Sequence, residues 1–198
     1  MNTTTMTQTV TKKPKTTAKP KVSTPSVDSL PANPFQHEIL ELACAQRIRP
    51  KKIEVLQKYQ NDALISLLIW NYDQSVISLL PEGDVPYSNS KDIAPGNDTL
   101  SQAIEKQLDD KMIDALGSNQ RTTLRQEYDK FYNFIKGGND TLSSIRRETI
   151  FIQLLEGLHP KEAEIVCLVK DKKLTSKYNL PFDLIQEAYP FIVWGGRS

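Results

Sequence analysis

Residues 137–190 read GGNDTLSSIRRETIFIQLLEGLHPKEAEIVCLVKDKKLTSKYNLPFDLIQEAYP, and in them helix stops and starts follow one another at short, regular intervals. Gly137-Gly138 ends one amphipathic segment, Asn139-Asp140 is placed to cap the next, His159-Pro160 opens a third and Leu180-Pro181 a fourth. A helix from Thr141 to about Gly157 would bury Leu142, Ile145, Ile152 and Leu155, with Phe151 beside them. After the His159-Pro160 start, Glu162 and Glu164 lie near the positive end of the helix, and Ala163, Val166, Cys167 and Val169 face inward. KDKKLTSKYNL is a basic stop, and Pro181 to Tyr189 forms a last helix ended by Pro190. The pattern predicts an all-α fold.

Upstream the helical period continues. Phe35, Ile39, Leu42 and Ala43 share a face, and Pro50 starts a helix carrying Ile53, Leu56 and Tyr59. Asn61-Asp62 caps ALISLLIWNY, which is apolar nearly all round and so predicts a buried helix. Val76 to Leu80 reads equally as a helical turn or a short strand. Residues 81–98, PEGDVPYSNSKDIAPGND, hold three prolines and two glycines and mark a long loop. Long irregular segments in small domains often carry binding residues, which makes Pro86, Tyr87, Asp92 and Pro95 candidates for docking a partner. Two further helices are predicted, Thr99 to Leu116 closed by Gly117, and about Gln120 to Lys136. The second carries Leu124, Tyr128, Phe131, Tyr132 and Ile135, aromatics at a spacing that points to core.

The first 34 residues differ in kind. They are rich in Thr, Lys and Pro, and they carry Lys12, Lys13, Lys15, Lys19 and Lys21 against one acid, Asp28. So little apolar surface cannot offset the entropy of ordering, so residues 1–34 read as a disordered basic arm before a helical domain at 35–190 and a tail at 191–198. The chain has 198 residues and a net charge of +1, which excludes a globally basic nucleic-acid binder. No signal-peptide core opens it, and the longest apolar run, Ala63 to Trp70, is far short of the roughly 20 residues that span a bilayer. A soluble, non-membrane protein is expected.

Chemistry-bearing spacings are missing. His37 and Cys44 are seven residues apart and His159 and Cys167 eight, which on a helix means an axial separation of roughly 10 to 12 Å. Tetrahedral zinc uses tighter pairs, so no metal site is expected, and the two cysteines read as buried thiols. No nucleophile elbow or phosphate-cradling glycine loop occurs, so no catalytic residue and no cofactor is predicted. KKLTSKYNLPFDLIQEAYP can be laid on a helix-turn-helix, with Asn179 as the left-handed turn and Leu180 buried after it. Its last helix, however, exposes Asp183 and Glu187 and no cation. Candidate polyanion contacts are the five arm lysines, Arg146 and Arg147, with the Lys170 to Lys177 charges beside them.

The strings LPEG, PY, APGN, FIKGG, IRRETIFIQLLEGLHPKEAEIVCLVKDKKL and QEAYP resemble an uncharacterised family found in contractile-tailed phages of marine bacteria, cyanophages especially. Phe134 to Leu174 carries most of the resemblance, which extends more weakly back to about Phe35. It implies a phage origin and the cytoplasm of the infected host cell, the virion being the other location, and it supplies no mechanism. The expectation is therefore a non-enzymatic phage accessory protein acting on a phage or host protein. The alternatives are a head or neck component of the virion, and a regulator that binds nucleic acid weakly and without sequence preference.

Overall fold

The computed structural model describes residues 25–85 and 122–197. The candidate contacts Lys12, Lys13, Lys15, Lys19 and Lys21, the docking residues Pro86, Tyr87, Asp92 and Pro95, and the helix expected at 99–116 lie outside them. Eight α-helices and one 3-10 helix are described: α1 (Gln36–Ala45), α2 (Arg49–Lys58), α3 (Asp62–Tyr72), α4 (Leu124–Glu127), the 3-10 helix (Tyr128–Asn133), α5 (Ser144–Gly157), α6 (Pro160–Lys170), α7 (Leu174–Lys177) and α8 (Phe182–Ala188). The fold is all-α, and α3 runs through its centre against α4, the 3-10 helix and α6. Around that axis α1 packs on α2 and α6, α5 and α7 pack on α6, and α8 packs on α2.

The helix starts follow the sequence chemistry. Asn61 Oδ1 accepts from Leu64 N–H at 3.0 Å to cap α3. His159 Nδ1 accepts from Lys161 N–H at 3.3 Å, and Pro160 fills the first position of α6, where no N–H is needed. Phe35 stands one residue outside α1, and its N–H donates to Glu38 Oε2 at 2.8 Å. α3 is buried nearly all round, with Leu64, Leu67, Leu68 and Trp70 each under 3% exposed, as its apolar circumference requires.

Four departures from the sequence expectations have local causes. The segment expected as one helix from Gln120 to Lys136 is broken: α4 lasts one turn, and the 3-10 helix continues to Asn133. Asn139 N–H and Tyr132 O then close the turn at 3.1 Å over Gly138, where an added Cβ would fall 1.9 Å from Tyr132 O. α5 starts at Ser143, whose hydroxyl accepts from Arg146 N–H at 3.4 Å, and not at Asn139-Asp140. Its inward row is Arg147, Phe151, Leu154 and Leu155, which leaves Ile145, expected inside, 78% exposed. Val76 to Leu80 is neither helix nor paired strand but half of one antiparallel bridge, with Leu79 N–H to Phe134 O at 2.8 Å and Lys136 N–H to Ile77 O at 2.9 Å.

The domain is also longer at both ends than 35–190. Val27 is 7% exposed; Tyr59 Oη donates to Val27 O at 3.0 Å and accepts from Leu30 N–H at 3.3 Å. Gln46 Nε2 donates to Pro25 O at 3.0 Å. A few apolar side chains, Val27 chief among them, and a handful of anchored backbone groups order 25–34, too few for composition over a 34-residue window to register. At the other end Ile192 is buried, and Gly195 N–H and Arg197 reach back to Asp73.

Candidate functional site

α3 presents Ser66, Ile69 and Trp70 along one face, because positions three and four apart align on a helix. The 3-10 helix lies across that face. With three residues per turn, its side chains fall into straight rows at i and i+3. One row, Tyr128 and Phe131, continues at Phe134 and turns into the core, where Phe131 and Phe134 stand 5.2 and 6.1 Å from the Trp70 ring. The other row, Asp129 and Tyr132 followed by Ile135, faces outward. With Val76 and Arg197 these residues enclose a groove of about 290 Å³.

The groove is apolar in its walls and polar at a few points. Trp70 is 2% exposed, and its indole N–H has no acceptor. Tyr132 stands at the rim, 53% exposed, and Ile77, next to Val76, is 44% exposed. The Asp129 carboxylate beside Tyr128 raises the pKa of that phenol. Arg197 supplies the cation of the lining, its side chain 33% exposed and bound through Nη1 to the Asp73 carboxylate.

Asp73 is the fixed point behind Arg197. Its side chain is 1% exposed; Oδ1 accepts from Ser75 N–H at 2.9 Å and Ser75 Oγ at 2.7 Å, and Oδ2 from Gly195 N–H at 3.0 Å. Burial alone would raise its pKa, but these bonds and the one from Arg197 outweigh it and hold the carboxyl at about 2. Lys172 Nζ donates to Asp73 O at 2.7 Å, and Lys172 itself adopts φ 56. The C-terminal segment is thereby latched to the end of α3, and Arg197 is held at the groove.

Of the candidate polyanion contacts within the described residues, Arg146 is exposed and Arg147 is not. Arg147 is 5% exposed and donates to the carbonyls of Asn133 (2.8 Å), Asn139 (2.9 Å) and Leu142 (3.0 Å). Its guanidinium ties the turn after the 3-10 helix to α5 and faces no external phosphate. Lys170 is likewise consumed, donating to Pro81 O at 2.7 Å and Gly83 O at 3.1 Å and pairing with Asp171. The helix-turn-helix alignment fails at its turn, since Lys172 is the one non-glycine residue with positive φ among the described residues, and Asn179 is not. Asp183 and Glu187 are exposed as expected, and both bind Arg49, at 2.6 and 2.7 Å.

Among the described residues no group of three or more His, Cys, Asp or Glu side chains could hold a metal, and no helix is long and apolar enough to cross a membrane. The two histidines do meet. Their rings stack at 5.0 Å and 10°, so the nitrogen lone pairs, which lie in the ring planes, do not converge on one point. Both cysteines are free and half-buried; burial raises the Cys44 thiol and pushes Cys167 up to about 12, the opposite of an activated nucleophile.

Sequence reading did not find the groove, because its walls come from α3, the bridge, the 3-10 helix and the C-terminal segment. Only the aromatic run YDKFYNF at 128–134 signalled it, and that run read as core. No curated protein and no solved structure matches the chain. A family model, described as a family of unknown function (DUF6433), matches residues 39–109 and 110–176, which takes in α3 and the 3-10 helix and stops short of Arg197. Because that match spans more than half of the chain, the protein belongs to the family of unknown function DUF6433.

Proposed function

We propose that the protein is a non-enzymatic phage accessory protein that binds another protein, of the phage or its host, in the aromatic groove. The supporting observation is the groove itself, about 290 Å³ beside a filled core, with Tyr132 left facing water at its edge. Aromatic side chains around a concavity are the usual anchors of protein interfaces, where a partner removes them from solvent. The phage setting, in the cytoplasm of an infected cell, rests on the sequence resemblance alone, most of it in residues 134–174. A polyanion surface has less support, because Arg147 and Lys170 are spent on carbonyls and α8 turns two carboxylates outward.

A photo-crosslinking aromatic residue, p-benzoylphenylalanine, placed at position 132 should capture a discrete partner in infected cells. The same residue in place of Ile145, which is more exposed but outside the groove, should not. Capture of the same protein from both positions, or from neither, removes the groove as the docking site.

A further inference from the structure

A second cavity lies beyond Phe134, whose ring stands 6.1 Å from Trp70 of the groove and 5.1 Å from Phe151. It holds about 90 Å³, several times the roughly 10 to 15 Å³ that one water molecule needs. Leu80 and Phe151, both buried, form its floor, and the half-buried Val85 and Ile152 its walls. Two carboxylates stand at its mouth, Asp84 from the turn after Gly83 and Glu148 from α5. Both residues are exposed, and neither carboxylate makes a hydrogen bond or an ion pair among the described residues.

Lys170, the cation of the lining, does not answer them. Its Nζ spends three protons on Pro81 O, Gly83 O and the Asp171 carboxylate, and its charge is balanced there. The same bonds, with Gly83 N–H donating to Asp171 Oδ2 at 3.2 Å, hold the 81–84 turn against the end of α6. Gly83 adopts φ 98, a left-handed value that suits glycine. The backbone that carries Asp84 is thereby fixed beside the cavity before any ligand arrives.

We infer that this cavity takes the lysine side chain of a partner segment, independently of what fills the aromatic groove. The butyl stem lies on Leu80, Phe151 and Ile152, and the ammonium stays at the mouth with Asp84 and Glu148, half in water, as long cationic side chains do on apolar surface. Lysine fits better than arginine for a specific reason. Carboxylates arriving from two elements suit a compact charge with three rotatable donors, whereas a guanidinium fork matches both oxygens of one carboxylate. An acidic segment would add a like charge beside two unpaired ones, and a purely apolar side chain would gain nothing from either.

The test uses the full chain, with the ¹³C–¹H methyl resonances of Leu80 and Ile152 as reporters and those of Ile69, in the aromatic groove, as the control. The probes are acetyl-Gly-Lys-Gly-amide and its counterparts with norleucine, which keeps the stem and drops the charge, with 2,4-diaminobutyrate, which keeps the charge on a shorter stem, and with Arg. The Lys peptide should shift Leu80 and Ile152 saturably and bind about tenfold tighter than the norleucine peptide, as two exposed ion pairs add. The diaminobutyrate and Arg peptides should bind more weakly than Lys. Asp84→Asn and Glu148→Gln should each cut the preference for Lys over norleucine by about twofold to fivefold. Norleucine binding as tightly as Lys, diaminobutyrate or Arg matching it, a shift at Ile69 without one at Leu80 and Ile152, or an unchanged preference in the doubly substituted chain would each overturn the inference. Tighter binding of free pentylamine than of the Lys peptide would overturn it in favour of a small amine.

Discussion

Arg147 reads in the sequence as a polyanion contact and Glu162 as an acid at a helix start, and both are interior connectors. Glu162 is fully buried; its two oxygens accept from Gln36 N–H and Leu124 N–H, each at 2.9 Å, so one carboxylate serves the starts of α1 and α4. Burial raises its pKa, against those two bonds. For Arg147, replacement by Ala leaves three carbonyls without their donor and should cost about 2 to 3 kcal/mol, whereas Arg146→Ala should stay within about 0.5 kcal/mol; urea denaturation of the two variants measures the difference. His37 makes the pH prediction. Burial first, then the neighbouring His159, Lys161 and Lys177, lower its pKa from 6.5 to about 3, and its Nδ1 is buried without a partner. The unfolded chain therefore takes up that proton first, so the His37 contribution to stability is complete above pH 6.5 and is lost as pH falls toward 3. Glu162, with its raised pKa, acts in the opposite direction as pH falls toward 4.5. The depressed Asp73 carboxyl matters only below its ordinary value of 3.8. The urea midpoint should thus drop further between pH 7 and pH 5 in the wild type than in His37→Phe, and equal drops would contradict the assignment.

At the scale of elements, α5 shows how a helix can be anticipated and still be rotated from its expected face. The row Phe151, Leu154 and Leu155 is buried, with Leu158 following it in the core, and Ile145 lies off it because Arg147 occupies the inward position of the first turn. Leu155→Ala should accordingly cost about 2 to 5 kcal/mol, as truncation of a fully buried side chain does. Ile145→Ala should change stability by less than about 0.5 kcal/mol. Thermal and chemical melts of the two variants check both; a costly Ile145→Ala would mean that a second surface covers that residue. The 3-10 helix is the element that makes the groove. In an α-helix Tyr132 would align with Tyr128, whereas three residues per turn align it with Asp129 and Ile135 and leave it at the rim.

Across the whole molecule, the two ends of the described chain close the fold. A chain beginning at Asn33 lacks Val27 and the carbonyl and N–H that satisfy the buried Tyr59 hydroxyl. It should melt several degrees below a chain beginning at Pro25, since about 1 kcal/mol moves the midpoint of a domain this size by roughly 2 to 8 °C; coincident melts would show that 25–32 adds nothing. The all-α class, the cap at Asn61, the His159-Pro160 start and the buried circumference of α3 were legible in the sequence, because each depends on residues within one or two turns of one another. The order in 25–34, the C-terminal latch on Asp73 and the inward turn of Arg147 were not. Each rests on a hydrogen bond or ion pair whose value appears only when a distant segment supplies the partner, 122 residues away for Gly195 and Asp73. The groove belongs to the same class. Its residue types stand in the sequence, but tertiary packing alone decided that Trp70 would meet Tyr132 and Arg197, because burial and charge pairing are properties of surfaces brought together and local spacing does not encode them.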